Sequence, residues 1–168
     1  KQTKEEIRYT IEASRDFVET LTVYGGDFLA GSGFSEDAAL YGLLAYDADT
    51  DSFHLDQIGR TDLEKTAGNL TGTGRIPENG PLKTELNLAL SFNDHFARMY
   101  RKMPDITWLY YTSENRFINI YPWVSSVEFH YSDKLRSVDY YTVAMPQNDP
   151  LRKAVWTPVY WDEAGSER

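Results

Sequence analysis

Arg136 carries the most specific chemistry in this chain. A guanidinium presents a rigid fork of donors that matches a carboxylate in bidentate fashion. Around it lie Trp108, Tyr110, Tyr121, Trp123, Tyr141, Trp156 and Tyr160. Tyr and Trp carry polar tips that need partners when buried, so this density favours a ligand-lining arrangement over a dry core. Asp162 adds an acceptor for a ligand ammonium group. In a pocket that excludes water, an Arg136–carboxylate contact would contribute about 1.5–3 kcal/mol. As a surface ion pair with Asp133 or Asp139 it would contribute only about 0–1 kcal/mol.

Other chemistries are weaker in the residues. Asp47, Asp49 and Asp51 imitate the start of a calcium loop, but Ser52 stands where glycine is needed and Ile58 where a bidentate Glu is needed, so a polar hairpin turn is expected. Gly72-Thr-Gly74 lacks the third glycine of a dinucleotide fingerprint, and no phosphate loop is present. His54, His95 and His130 have no metal-binding spacing. No metal or cofactor is therefore expected. Asp139 with Asp162 is the one imaginable glycosidase pair, but an acid-rich surface predicts the same composition. There is no nucleophile-elbow serine and no persuasive Ser/His/Asp set. Asn69-Leu-Thr71 is formally a glycosylation sequon, a pattern too common to carry weight.

Each of these groups needs an element to hold it. Residues 3–30 read as one long amphipathic helix, with Ile7, Ile11, Phe17, Leu21, Tyr24 and Phe28 at helical spacing. At about 1.5 Å per residue it would run roughly 40 Å, enough for a stalk or a dimer seam, or for a core helix lying along a sheet. Leu40 to Tyr46 is a strand or a helix end. Residues 59–81, with five glycines and two prolines, read as a loop. Leu82 to Met103 is a second helix stopped by Pro104. Ile106–Thr112 and Phe117–Trp123 are aromatic, β-branched strands joined in a hairpin at Ser113-Glu-Asn-Arg116. Residues 124–137 are irregular. Val138–Met145 is a short helix, and Val155–Asp162 a third aromatic strand ending in the Glu163-Ala-Gly165 turn. The expected organisation is residues 1–34 as the helix and 35–168 as an α+β module.

Composition narrows the classes. The chain has 168 residues, 41% of them hydrophobic, so it can build a sizeable core. A formal charge of −9 with no basic cluster argues against nucleic acid or anionic lipid. The absence of cysteine excludes disulfides and thiolate chemistry. No apolar run is long enough to span a bilayer and no signal peptide is visible. The chain opens at Lys1 without Met, so any membrane anchor is expected in flanking sequence.

Trp108-Leu-Tyr-Tyr-Thr112, Phe117-Ile-Asn-Ile-Tyr-Pro-Trp123, Asp139-Tyr-Tyr-Thr-Val-Ala144 and Trp156-Thr-Pro-Val-Tyr-Trp-Asp-Glu-Ala-Gly165 together resemble the membrane-distal module of a double Cache sensor domain. The likeness covers about the last 65 residues, and the two preceding helices agree in order. It implies a PAS-like antiparallel sheet flanked by helices. It also implies a periplasmic or extracellular location in a bacterial inner-membrane histidine kinase, diguanylate cyclase or chemoreceptor. The implied partners are a small ligand, an amino acid or carboxylate, and a second copy meeting it through the first helix. Amino-acid-binding members use a Tyr, four residues, Arg, then a Trp-Tyr pair and a later Asp. Tyr131 and Arg136 match the first spacing, Tyr140 and Tyr141 stand near the pair, and Asp162 is placed like the acid. The pair comes two residues late and lacks Trp, which leaves the ligand at a small polar molecule. Family members continue beyond the Asp162-Glu-Ala-Gly165 turn into further strands, so the sheet is expected to be incomplete as written. The expected function is a non-catalytic sensor. The alternatives are a ligand-free dimerisation module and a carboxylate-dependent hydrolase.

Overall fold

The computed structural model describes residues 3–31, 38–60 and 62–159, and its architecture is α+β. Helix α1 (Lys4–Leu29) is followed by the one-turn α2 (Ala38–Tyr41), strands β1 (Ala45–Asp47), β2 (Ser52–His54) and β3 (Asn69–Thr73), and helix α3 (Pro81–Lys102). The hairpin β4 (Leu109–Thr112) and β5 (Phe117–Tyr121) comes next, then the short α4 (Asp139–Thr142). The five strands form one antiparallel sheet in the order β1-β2-β3-β5-β4. No helix among the described residues is long and apolar enough to cross a membrane.

Strand β5 is buried along its whole length, so its alternating side chains serve two packed faces. Phe117, Asn119 and Tyr121 turn toward α3, with Leu70 of β3, Phe53 of β2 and Tyr111 of β4 beside them. Leu86, Ala89 and Leu90 of α3 pack on this side of the sheet. Asn119 is fully buried and donates to the Ala89 carbonyl (2.7 Å) and to Asn93 Oδ1 (3.0 Å), tying sheet to helix. Ile118 faces the other way, onto Tyr131 and Leu135.

Helix α1 starts with a capping box, Thr3 Oγ1 accepting from the Glu6 amide and Glu6 Oε2 from the Thr3 amide. It lies along α3 rather than standing clear of the domain. Phe17 meets Phe96 with ring centroids 6.3 Å apart, and Tyr24 meets Phe92 at 5.9 Å and His95 at 4.6 Å. The Gly25–Gly26 pair does not break it, and Gly25 is buried facing Leu88 and Phe92 of α3.

The structure corrects three expectations. The glycine-rich stretch 59–81 contains β3, a central strand, because its pattern is not apolar alternation. Asn69 and Thr71 are buried but hydrogen-bonded, and Gly72 lets the Phe53 ring and Phe117 cross the strand closely. The expected helix 138–145 is α-helical only over Asp139–Thr142. Residues 155–159 form no strand, and Val155, Trp156 and Val159 are exposed.

The hairpin turn between β4 and β5 is clamped to α3 by one carboxylate. Glu85 accepts from the hydroxyls of Tyr111 (2.9 Å) and Ser113 (2.5 Å) and from the Asn115 amide (2.5 Å). Burial raises the Tyr111 pKa, and the Glu85 charge adds to this, so the phenol stays a donor. Glu85→Ala is expected to lower unfolding free energy by about 2–3 kcal/mol, since it strands a partly buried hydroxyl and removes a charge-assisted cluster. Urea titration checks this, and a midpoint equal to wild type would mean the turn holds without the clamp. Gly72→Ala places a Cβ 2.3 Å from the Phe53 ring, and about 1–3 kcal/mol of overpacking is expected in the same assay.

Candidate functional site

Strand β4 is the outermost strand of the sheet among the described residues, and an open cavity of about 810 Å³ lies along it. Tyr110, Tyr111 and Thr112 form one wall, because an edge strand presents both its faces and its margin. Tyr140 and Tyr141 of α4 form a second. Residues 152–157 form a third, with Trp156 the large ring there. Val18 and Thr22 of α1 close the fourth side. The Tyr110 and Tyr140 rings pack edge to face at 5.0 Å, which sets the angle between sheet and α4.

Of the residues expected to bind a ligand, the fold brings Tyr110, Tyr140, Tyr141 and Trp156 to this cavity. Arg136 stands behind the wall. The nearby Tyr141 hydroxyl, and after it Tyr131, hold its guanidinium above its ordinary pKa against the effect of burial. Its Nε atom is buried with no hydrogen-bond partner. The ion pair with Asp133 does not form at Arg136, because Arg116, at φ +63 in the hairpin turn, takes that carboxylate with Nε at 3.2 Å and Nη2 at 3.0 Å.

The remaining candidates belong elsewhere. Tyr121 faces α3, packs edge to face on Tyr100 at 5.6 Å and donates to the Lys65 carbonyl. Trp123 packs against the α3-side core and covers Gly59, where a Cβ would sit 2.4 Å from its ring. Tyr131 is buried on Ile118 and Leu135, and burial with the Asp133 hydrogen bond pushes its phenol up to about 12. Trp108 lies just ahead of β4, partly buried and outside the cavity lining. Tyr160 and Asp162 lie outside the described residues.

Sequence reasoning missed the contributions of Val18, Thr22, Thr112, Glu114, Arg152 and Lys153. The basic pair after Pro150 was a visible signal. The approach of α1 to the β4 margin had none, since it depends on how α1 crosses α3. The cavity therefore joins stacked phenol rings and an indole with one acid and two bases, a lining suited to a small molecule with an apolar body and a polar or anionic end.

A second polar cluster closes the loop after β5 over the sheet. Asp56 accepts from Asn69 Nδ2 (2.6 Å) and from both the amide (2.9 Å) and hydroxyl of Ser126, with His54 Nδ1 at 3.4 Å. The serine hydroxyl is committed to the carboxylate, so this Ser/His/Asp set lacks the base-to-serine contact that nucleophilic catalysis requires. Asn69 is fully buried and also donates to the Val124 carbonyl (2.8 Å), which removes it as a glycosylation acceptor in the folded chain. The Asp47–Asp51 turn is internally bonded through Asp49 N to Asp47 Oδ1 (2.9 Å) and Tyr46 OH to Asp51 Oδ1 (2.8 Å). No metal-holding cluster occurs among the described residues.

Compared with protein-family models, curated proteins and solved structures, the chain has no match.

Burial works to raise the Asp56 pKa, but the Ser126 and Asn69 hydrogen bonds outweigh it and hold the carboxyl below its ordinary value. A depressed folded pKa contributes stability above the unfolded value of about 4 and loses it as pH falls through the folded value. Asp56→Asn is expected to be less stable than wild type at pH 7, with the gap narrowing below about pH 4. Denaturation midpoints measured from pH 7 to pH 2 check this, and a gap independent of pH would remove the charge from the account.

Proposed function

We propose that this chain is a non-catalytic sensor domain of double Cache type that binds a small polar or carboxylate-bearing molecule in the cavity beside β4. In this reading it is the extracytoplasmic part of a bacterial membrane receptor, either a histidine kinase, a diguanylate cyclase or a chemoreceptor. The observation that carries the proposal is the meeting of Tyr110, Tyr140, Tyr141 and Trp156 with Val18 and Thr22 of the long helix around one open space. A ligand held there touches sheet, α4 and α1 together. It would bias α1 only by binding one arrangement of these walls better than another, since equal affinity for both shifts nothing.

Arg136 supports an anionic ligand group through two features. Its buried, unpartnered Nε leaves a donor unsatisfied, and the nearby Tyr141 that raises its pKa lines the cavity. A carboxylate arriving beside Tyr141 would supply a charge-assisted acceptor. The carboxylate-dependent hydrolase alternative rests on Asp139 with Asp162, and Asp162 lies outside the described residues.

A thermal-shift panel of amino acids and small mono- and dicarboxylates tests the reading. A true ligand at about one hundred times its Kd stabilises by roughly 2.7 kcal/mol. For a hit, Tyr141→Ala and Arg136→Ala are each expected to weaken calorimetric affinity about ten-fold or more, the scale of one charge-assisted hydrogen bond. Affinity unchanged in both variants would move the site away from this wall.

Dimerisation through α1 is the second part of the proposal. Ile7 and Ile11 lie one turn apart and are 47% and 44% exposed, an apolar strip that α3 does not cover. Ile7→Glu with Ile11→Glu is expected to convert a dimer into a folded monomer in light scattering. A wild-type chain that is already monomeric at high concentration would withdraw the seam.

A further inference from the structure

We propose that residues 153–159 form a strap that closes over the cavity by seating the Trp156 indole against Val18 and Thr22 of α1. From Lys153 to Val159 no hydrogen bond, ion pair or ring contact joins it to the other described residues. The chain just before it is tied down: the Asn148 and Asp149 amides donate to the Met145 carbonyl, both at 2.8 Å, and Asn148 Nδ2 donates to the Thr142 carbonyl at 2.7 Å. The last tie is the Arg152 amide on the Asp149 carbonyl at 3.2 Å, and Arg152 itself adopts φ +52. A left-handed backbone at a non-glycine residue is uncommon, and here it follows directly on the last hydrogen bond of the turn among the described residues.

Both sides of the gap are apolar and wet. Trp156 is 59% exposed and Val155 44%, while across the cavity Val18 is 49% exposed. The Thr22 hydroxyl is spent on the Val18 carbonyl at 2.9 Å, so a closing ring would meet the apolar part of that side chain. Val18 lies off the α1 face that Phe17, Leu21 and Tyr24 press onto α3, so closure disturbs no packed contact. Apolar surfaces that already border one space gain by removing that space from water.

Closure places the strap on the long helix and encloses whatever occupies the cavity. That consequence for a bound molecule rests on the ligand-binding role proposed above, whereas the closure itself does not. Since the chain contains no cysteine, Val18→Cys labelled with bimane carries a single reporter at a half-exposed position, and an indole in contact quenches bimane. Emission is compared with that of the same labelled protein carrying Trp156→Phe, with circular dichroism confirming that both are folded. A closed population of about one half predicts roughly two-fold brighter emission once the indole is removed. Equal emission from the two would overturn the strap. Equal emission alongside a ligand-dependent thermal shift would remove the strap and keep the ligand site. Quenching without response to any tested ligand would keep the strap and count against the ligand reading.

Discussion

The structure depends on β5 being buried on both faces. A strand in that position must satisfy two packed layers with five residues, and it does so with Phe117 and Tyr121 on one side, Ile118 on the other, and Asn119 as a hydrogen-bonded pin into α3. Burying a carboxamide without partners would cost more than an apolar residue. Here the Ala89 carbonyl and Asn93 receive it, and Asn93 in turn accepts from the Gly68 amide at 3.0 Å. The same logic runs through β3, where Asn69 links Leu55, Asp56 and Val124 across the opposite face. Polar side chains thus set the register and orientation of the sheet between its two apolar layers.

The two faces then divide their work. The α3 side is packed by Phe53, Leu70, Leu86, Leu90 and Phe117. The opposite side is covered near β3 by the segment around Tyr131 and Leu135, and only at the β4 margin does the cover open into a cavity. Ring-lined space survives there because the rings come from separate elements that brace one another, with Tyr110 of β4 against Tyr140 of α4. Helix α1 enters the same space because its packing on Phe92 and Phe96 leaves Val18 on the side toward β4. The proposed sensing role and the proposed strap both follow from that shared boundary.

Much of the framework was legible from residue pattern alone. Helical spacing located α1 and α3 to within a residue or two, the Ser113-Glu-Asn-Arg116 turn located the β4–β5 hairpin, and the failed calcium loop was rightly read as a turn. These are local decisions, governed by periodicity, capping and turn chemistry. Strand β3 escaped because, Leu70 apart, its buried residues are Asn, Thr and Gly, whose fitness for a core exists only once their partners are in place. The Trp156 segment failed in the opposite sense. Its aromatic, β-branched composition suits a strand, but no neighbour pairs with it among the described residues.

By itself, then, the amino-acid order determined the α+β class, both long helices, the hairpin and the region where aromatic and basic chemistry concentrates. Only tertiary structure decided which aromatic rings share a cavity. Tyr121 and Trp123 resemble Tyr110 and Tyr141 in type, yet strand alternation and the wrapping of the chain after β5 send the first two into the core and leave the others at an open edge. It also decided that Arg116 rather than Arg136 takes Asp133, and that α1 forms part of the wall. Those outcomes turn on distances between elements far apart in the chain, and such distances are fixed by how faces pack.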